Sequence, residues 1–334
     1  MLGAICSAGS DSGQGVFGPG ATSTLTTAAR WQLSVGYRWQ NSFRHFRGDV
    51  EQRERLEEGS QVENDLHLFD VALSYRLSPR WSVGFSAPFS KVTRISHRNG
   101  TTTESTGLGD ISLGARTWIF RPPAESRQNI QVGFSIKLPT GSGSVTNKIG
   151  PNTVVVDQSI QLGDSGTGFS VDFLGFKSIQ RFTLFVNGIY LFNPKNTHTP
   201  EGWNEVVPRD RSLGYLGFSA AGTEYSVADQ YLFQAGTGYA VPKLRGLAFT
   251  GTVRMEGVPA RDLIGREDGF RRPGYAVSVG PGVMYTHGRH TWSLSAPIAV
   301  RRDRTQSVPD ARRGAHGDAA FADYVILAGY SRTF

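Results

Sequence analysis

Apolar and polar residues alternate along most of the chain from residue 30 onward. In the first such stretch, one face carries Trp31, Leu33, Val35, Tyr37 and Trp39, and the residues between them are polar or small. Because successive side chains of a β-strand point to opposite faces, the pattern predicts a strand with one apolar face. Aromatic residues at both ends of an aliphatic row are typical of a strand that crosses a bilayer between two aromatic girdles.

The alternation recurs about twelve times, with short turns and long polar connections in regular succession. The short turns include residues 78–80 and 287–290, whereas the longest connections are residues 41–65, 139–166 and 193–224. This rhythm predicts an all-β fold, a single antiparallel transmembrane β-barrel of about twelve strands with long extracellular loops and short periplasmic turns.

Three prolines fall inside the predicted strands, at Pro88, Pro281 and Pro297. Proline lacks the N–H that a strand donates to its neighbour, so each position predicts a bulge or a strand boundary. The predicted strand number therefore ranges from about ten to about fourteen, whereas the barrel architecture does not depend on it.

Residues 1–29 are rich in Gly and Ser and follow no period, which predicts a flexible N-terminal segment before a barrel of residues 30–334. The start is too short and uncharged for a complete secretory signal, so we interpret the segment as a signal remnant or a periplasmic plug. Its G-x-G-x-x-G spacing lacks the preceding strand and following helix of a dinucleotide site. Lipidation of Cys6 is disfavoured, because Ile5 stands where a small residue is required.

The final stretch, residues 321–334, alternates again and places Tyr324, Tyr330 and Phe334 on one face. It resembles the closing strand of a bacterial outer-membrane barrel, in which the terminal aromatic residue is part of the signal read by the insertion machinery. The resemblance implies a location in the bacterial outer membrane and makes that machinery a predicted partner. The alternative is the edge strand of a soluble sandwich.

The two faces of the predicted strands define two sets of site residues. The outward aromatic residues are predicted to form the membrane girdles: Trp31, Tyr37, Trp39, Tyr75, Trp81, Tyr275, Tyr285, Trp292, Tyr324, Tyr330 and Phe334. The inward charged residues are predicted to line the lumen: Arg38, Asp70, Arg76, Asp110, Arg116, Lys137, Asp172, Arg254 and Glu256. Such nearly balanced charges either pair across the lumen or line a water-filled path that selects solutes.

The formal net charge of +7 comes mostly from arginines in the predicted loops rather than along one stripe, which argues against nucleic-acid binding. Guanidinium groups bind phosphate, so lipopolysaccharide is a predicted partner. Solvated loop charges that pair with nearby Asp and Glu are the alternative. No apolar run is long enough for a transmembrane helix. The calcium-loop spacing and a cysteine cluster are missing, so we predict no metal and no cofactor.

Two fragments resemble a family of outer-membrane proteins named for the meta-cleavage pathway of phenol degradation. One is Gly107-Leu-Gly-Asp110 at the start of a strand, and the other is Leu138-Pro-Thr-Gly141 at the end of the next. The resemblance implies an outer-membrane barrel that passes small organic compounds. The chain is also loosely similar to the long-chain fatty-acid transporter barrels, without a clear N-terminal hatch.

We therefore predict a passive outer-membrane channel or transporter for small organic solutes. The alternative is a closed, non-conducting barrel that acts as a structural or partner-binding scaffold, and filling of the lumen by Phe176, Phe185, Val325, Leu327 and the charge pairs would favour it. An outer-membrane hydrolase is the third hypothesis, and a Ser–His hydrogen bond at the rim would support it. We assign no catalytic residue, since the histidines other than His67 fall in predicted exposed loops or turns, and His67 has no obvious partner.

Overall fold

In the part of the chain that the structure describes, twelve antiparallel strands form a closed barrel in which the last strand returns to the first. The computed structural model describes residues 30–200, 225–266, 269–312 and 314–334. The predicted N-terminal segment 1–29, with Cys6, lies outside these residues. Within them, no helix is long and apolar enough to cross a membrane.

Short turns join the wall strands at one edge of the barrel, and long loops join them at the other. In chain order they are β1 (Trp31–Arg47), β2 (Val50–Glu51), β3 (Val62–Arg76), β4 (Trp81–Ser96), β5 (Thr101–Leu108), β6 (Ser112–Trp118), β7 (Gln128–Lys137), β8 (Thr146–Ile149), β9 (Asn152–Val155), β10 (Gly168–Ile179), β11 (Phe182–Phe192), β12 (Thr197–His198), β13 (Tyr225–Ser226), β14 (Gln230–Ala240), β15 (Leu247–Val258), β16 (Gly274–His287), β17 (His290–Ser295), β18 (Ile298–Asp303) and β19 (Ala319–Thr333). The helices are α1 (Glu54–Glu57) and α2 (Val308–Arg312), with 3-10 turns at Pro123–Glu125 and Gln158–Ile160. β17 and β18 are two halves of one wall strand, and β2, β5, β8, β9, β12 and β13 lie outside the ring.

The barrel closes between β1 and β19, which pair from Gln32 opposite Thr333 to Phe46 opposite Ala319. The backbone N–H of Arg30 donates to the carbonyl of Phe334 at 2.9 Å, so both ends of the ring meet at one edge. The short turns lie at the same edge, and the long loops lie at the other. The predicted even-stranded antiparallel barrel is confirmed.

The outward face of the wall is apolar and exposed. In β4, Trp81, Val83, Phe85 and Phe89 are 38–50% exposed, whereas Ser86 between them is buried on the opposite face. A soluble protein would bury such a row, but a wall that faces lipid exposes it. The exposed row therefore identifies the membrane-facing side of every strand that follows the same alternation.

The predicted girdle residues lie in two belts at the edges of this apolar zone. Trp31 contacts Tyr75 at the short-turn edge, with ring centroids 4.6 Å apart, and Trp39 contacts Tyr324 at the long-loop edge, at 5.7 Å. The other girdle residues divide in the same way, with Trp81, Tyr285, Trp292, Tyr330 and Phe334 at the short-turn edge and Tyr37 and Tyr275 at the long-loop edge.

The three prolines mark changes in strand pairing. β4 pairs with β6 up to Ser86 opposite Ser112, and beyond Pro88 it pairs with β5 instead, from Phe89 opposite Leu108. β17 ends before Pro297 and β18 begins after it, next to Pro281 on β16. Each proline lacks a donor, so the ladder is interrupted while the wall strand continues.

The prediction of an exposed loop at residues 41–65 is wrong at both of its ends. β1 continues to Arg47 and β3 begins at Val62, and the side chain of Asn41 donates to Glu63 across the pair at 2.6 Å. The strands rise above the lipid zone, where backbone pairing needs no apolar face. Hydrophobic alternation reports the membrane-spanning part alone, so it underestimates strand length.

The predicted outer loop at residues 139–166 folds back into the barrel. We call residues 138–167 the inserted loop. Its Val156 and Ile160 are fully buried and pack against Leu66, Leu68 and Val92, which lie on the inward faces of β3 and β4. The prediction of an external loop is therefore wrong for this segment, because its few apolar residues bury themselves against the inner wall.

Candidate functional site

A buried ionic cluster crosses the lumen between β1 and β15. Arg38 donates to both carboxylate oxygens of Glu256, at 3.1 and 2.9 Å, and Arg254 reaches the same carboxylate at 2.6 Å. All three side chains are at most 3% exposed. Since β16, β17–β18 and β19 separate the two strands in the ring, the side chains can meet only across the interior. These three predicted lumen residues therefore lie in the lumen and are mutually paired.

A second ion pair, between Arg116 and Asp172, spans the strand that lies between them. Arg116 on β6 and Asp172 on β10 both lie opposite Gly133 on β7. A Cβ at Gly133 would stand 2.5 Å from the Asp172 carboxylate, so the glycine leaves the room in which the two side chains meet, at 3.1 Å. The Arg116 side chain keeps 25% exposure and remains available to a solute.

Asp110 and Lys137 hold the base of the inserted loop. The ammonium group of Lys137 lies 3.5 Å from the Asp110 carboxylate and donates to Asp164 inside the loop. The Asp110 carboxylate also accepts from the backbone N–H of Gly141 at 2.9 Å, and the Thr140 hydroxyl donates to the carbonyl of Gly109 at 2.9 Å. These two predicted lumen residues therefore anchor the loop rather than stand free in a path.

These contacts also join the two fragments that carry the family resemblance. Asp110 closes the Gly107-Leu-Gly-Asp110 fragment, and Gly141 closes the Leu138-Pro-Thr-Gly141 fragment. The Cβ of a larger residue at Gly163 would stand 2.5 Å from the Gly141 carbonyl and 2.6 Å from Asp110. Both fragments thus belong to one structural unit, the hinge from which the inserted loop turns into the barrel.

A third ionic cluster fixes the tip of the inserted loop. Asp157 receives two hydrogen bonds of 2.8 Å from Arg272, and Arg94 on β4 lies 3.6 Å away. Burial works to raise the pKa of Asp157, but the guanidinium groups of Arg272 and Arg94 outweigh it and hold that pKa well below its usual range. The hydroxyl of Tyr225 also donates to the carbonyl of Val156 at 3.1 Å. The loop is therefore tied to two sides of the barrel mouth.

This cluster was not predicted. Asp157 lies in the predicted loop 139–166, where no alternation assigns a face, and Arg272 precedes the alternation that begins at Tyr275. Extending the alternation of β4 beyond Phe89 would have placed Arg94 on the inward face, which was a usable signal.

The inner wall has two contrasting sides nearer the short turns. Trp118, Leu174, Phe176 and Phe185 form a buried apolar cluster on β6, β10 and β11, with the rings of Trp118 and Phe176 edge to face at 5.9 Å. The inward positions of β14 to β19 near the short turns carry mostly small, partly exposed residues instead, with the buried Met284 as a bulky exception. We call this group the small-residue wall: Gly236, Thr250, Thr252, Gly282, Ser293, Ser295, Gly329 and Ser331. Large side chains thus fill the lumen beside β6, β10 and β11, whereas mostly small side chains line it beside β14 to β19.

The two remaining predicted lumen residues lie on β3. Asp70 is buried at 4% exposure, and Arg76 is half-buried near the short turns. The structure therefore places the nine charged residues on the inward side or, for Asp110, at the loop hinge between β5 and β6. Their role in solute selection stays a prediction.

Two predictions about histidine are wrong. His45 does not lie in an exposed loop; it is on β1, is 5% exposed and contacts the Asp318 carboxylate at 3.0 Å. His67 has partners, since its ring contacts the Tyr37 hydroxyl at 2.8 Å and Asp65 at 3.0 Å. Both differences follow from the greater length of β1 and β3, which brings polar side chains of neighbouring strands opposite each other.

His198 comes nearest to a rim Ser–His arrangement among the described residues. Its Nε2 lies 3.5 Å from the Ser144 hydroxyl and 3.4 Å from that of Ser165, which is long for a hydrogen bond. The same nitrogen lies 3.2 Å from the carbonyl of Gly143, an oxygen that can only accept. A hydrogen bond to that carbonyl requires Nε2 to carry the proton, and in that tautomer the same nitrogen does not accept one from a serine.

Among the described residues, no group of three or more His, Cys, Asp and Glu is arranged to hold a metal ion. The carboxylates of Asp110, Asp172 and Glu256 instead contact Lys or Arg side chains.

Comparison with solved structures yields several bacterial outer-membrane barrels. The COG4313 outer membrane channel from Pseudomonas putida F1 aligns over 92% of this chain and 96% of that chain, with a TM-score of 0.60 and 12% identity. The beta domain of the Bordetella autotransporter Brka covers 92% and 100%, with a TM-score of 0.49 and 11% identity. The P. putida toluene transporter TodX covers 94% and 92%, with a TM-score of 0.42 and 8% identity. Only the first likeness is strong enough to support the fold.

No curated protein matches the sequence. A closed barrel with an apolar outer face is the form in which chains cross the bacterial outer membrane, and this protein is located there. A family model matches residues 90–307, which is well over half of the chain and includes both fragments of the loop hinge. The protein therefore belongs to the family described as "Putative MetA-pathway of phenol degradation".

Proposed function

We propose that this protein is a passive outer-membrane channel for small organic solutes. The observation that carries the proposal is the small-residue wall. Its residues adjoin one another in register, since Gly236 lies opposite Thr252, Thr250 opposite Gly282, and Gly282 opposite Ser295. Side chains this small do not fill the space beside them, so they leave a path along one side of the lumen.

The inserted loop and the lumen charges give this path its selectivity. The loop narrows the mouth on the long-loop side, and Arg116 presents a partly exposed charge farther in. The Arg38–Glu256–Arg254 cluster is fully paired and holds the wall rather than a solute. The inserted loop therefore selects solutes mainly by size, and the charge of Arg116 adds a weaker selection by charge.

A scaffold without conduction is the competing proposal. Phe176, Phe185 and Val325 are buried, as that proposal requires, whereas Leu327 is half-buried and faces the thinly lined side. Val325 and the Arg38–Glu256–Arg254 cluster lie toward β15–β19 and favour the scaffold, whereas the small-residue wall favours the channel. Hydrolysis has less support, because the geometry at His198 does not provide a base for a nearby serine.

Membrane partners follow from the exposed loops and the last strand. We propose that loop arginines contact lipopolysaccharide phosphates in a Gram-negative outer membrane, and that β19 with Phe334 is recognised by the barrel-insertion machinery. Residues 30–334 act as the barrel, and residues 1–29 remain proposed as a signal remnant or a plug.

Swelling of proteoliposomes tests the channel proposal. Vesicles that contain the refolded protein should swell in isosmotic glycerol, and the rate should fall steeply with larger neutral solutes such as sucrose. Protein-free vesicles and vesicles with heat-denatured protein are the controls. Swelling no faster than in these controls, with a barrel shown to be folded, would favour the scaffold.

A further inference from the structure

A groove of about 960 Å³ lies at the short-turn edge of the barrel, between the turn that joins β6 to β7 and the outer surface of β7, β10 and β11. Its floor is Gly175 on β10, which pairs with Ile130 on β7 and Val186 on β11. Both neighbours are 44% exposed on the lipid-facing side, so Gly175 faces lipid as well. The side chains of Phe176 and Phe185 are buried behind this floor. Because glycine adds no side chain, the outer wall is indented here.

Three cationic side chains line the end of the groove nearest the turn. Arg121 and Arg127 belong to the turn, and Lys177 lies on β10. All three are exposed, and none forms an ion pair with an acidic residue in the described part of the chain. Glu125 is the one carboxylate of the lining, so two positive charges are in excess. The groove therefore has a cationic end and an apolar end.

Hydrogen bonds hold the turn beside the groove. The side chain of Asn129 accepts from the backbone N–H of Phe120 at 3.1 Å and donates to the carbonyl of Arg121. The carbonyl of Arg127 accepts from the backbone N–H of Ser178 on β10 at 2.7 Å. The backbone of both arginines is thus fixed next to the outer wall, while their exposed side chains stay available to a ligand.

The position of the groove matches the headgroup level of one membrane leaflet. The short turns of bacterial barrels face the periplasm, where the leaflet consists of phospholipids. A phospholipid carries a phosphate, which guanidinium and ammonium groups bind, and acyl chains, which pack on apolar side chains such as Ile130, Leu184 and Val186. The excess positive charge favours a headgroup with a net negative charge.

We propose that this groove binds one anionic phospholipid of the periplasmic leaflet. The headgroup phosphate contacts Arg121, Arg127 and Lys177, and an acyl chain lies over Gly175 between Ile130 and Val186. The inference goes beyond the proposed channel function and does not depend on it, since the groove lies on the outside of the wall and not in the lumen.

Native mass spectrometry of the full-length protein released from micelles tests the site. Phosphatidylglycerol is compared with zwitterionic phosphatidylethanolamine that has the same acyl chains. One phosphatidylglycerol should bind saturably and about fivefold more tightly than phosphatidylethanolamine. The double variant Arg127→Gln with Lys177→Gln should weaken phosphatidylglycerol binding about tenfold or more, because each basic group near an anionic lipid contributes about fivefold. The matched control is Lys243→Gln with Arg245→Gln, which removes the same charge at the turn between β14 and β15 and should leave binding unchanged.

Gly175→Leu fills the groove without a change of charge and should also weaken phosphatidylglycerol binding. Heat-modifiable gel migration checks that each variant is folded. Binding that does not saturate, or equal binding of the two lipids, would show annular lipid only and overturn the proposal. Equal losses in the two double variants, or full binding by Gly175→Leu, would overturn the groove as the site. A dimer that Gly175→Leu abolishes would assign the groove to a second copy of the chain instead.

Discussion

At the scale of single residues, the charged side chains of the lumen are stabilised by one another more than by water. The Glu256 carboxylate forms ion pairs with the guanidinium groups of Arg38 and Arg254, and all three side chains are buried. Removing charges from water is unfavourable, and close pairing compensates for it. The cluster is therefore stable as a set and unstable when one member is lost.

Glu256→Gln should lower the free energy of unfolding by about 3–5 kcal/mol, because it removes the buried carboxylate that both guanidinium groups contact. Urea titration of the refolded barrel in micelles measures this change. The double variant Arg38→Gln with Glu256→Gln should recover part of the loss. A double variant no more stable than Glu256→Gln would contradict the pairing.

Gly133→Val should destabilise the barrel by about 1–3 kcal/mol, because the new side chain would occupy the space in which Asp172 meets Arg116. Gly251→Val is the matched control, since Gly251 faces outward with nothing within 4 Å of its Cβ position. The two variants are compared by urea unfolding. Equal stability of both would show that the space at Gly133 is not needed.

At the scale of elements, the inserted loop is the segment that fills part of the barrel mouth. Its hinge is fixed by Asp110 and Lys137, and its tip is fixed by Asp157. Between them, Val156 and Ile160 provide an apolar contact with the wall. Three kinds of attachment at separate points keep the loop inside the lumen.

Asp157→Asn should release the tip of the inserted loop, because the neutral amide no longer compensates Arg272 and Arg94. Trypsin cleavage after Lys148, an exposed residue of β8, should accelerate by about tenfold or more. Mass spectrometry identifies the product. Asp49→Asn, at an exposed loop position, should leave the rate unchanged, and equal rates for both variants would contradict the anchor.

Asp318 couples the segment before β19 to β1 and should make stability depend on pH. Burial raises the pKa of Asp318, but His45 and Arg55 outweigh it and lower it to about 2. A lowered pKa stabilises the folded state above the unfolded pKa, near 4, and the benefit is lost as pH falls through about 2. The free energy of unfolding should therefore drop by about 2 kcal/mol across this window.

Urea unfolding at stepped pH measures this effect, and Asp318→Asn should flatten the curve between pH about 4 and about 2. If Asp318→Asn shows the same pH dependence of the free energy of unfolding as wild type, other carboxylates cause that dependence.

Much of the wall could be predicted from the sequence, and most of the mouth could not. Lipid imposes strict alternation, so Trp31 to Trp39 predict β1, its outward face and its inward Arg38. Strands above the membrane need not alternate, so the continuation of β1 to Arg47 and the burial of His45 could not be predicted. The inserted loop escaped as well, since Ile160 and Asp157 acquire their contacts from β3, β4 and Arg272, which are distant in sequence.

At the scale of the whole molecule, the inside of the barrel is lined asymmetrically. The bulky cluster around Trp118 and Phe176 lies on one side of the lumen, and the small-residue wall lies on the other. The inserted loop packs on β3 and β4 and is also tied to Arg272 before β16, so it narrows the mouth above both sides of the lumen. The central claim is that solutes pass along the small-residue wall.

The most direct measurement is the single-channel conductance of the refolded protein in a planar bilayer, at several salt concentrations. The account predicts stable steps that scale with salt. Ser293→Trp places bulk on the small-residue wall and should at least halve the conductance. Leu294→Trp, the neighbouring position on the lipid face, should leave it unchanged. A folded barrel without conductance, or an equal effect of both tryptophans, would contradict the claim.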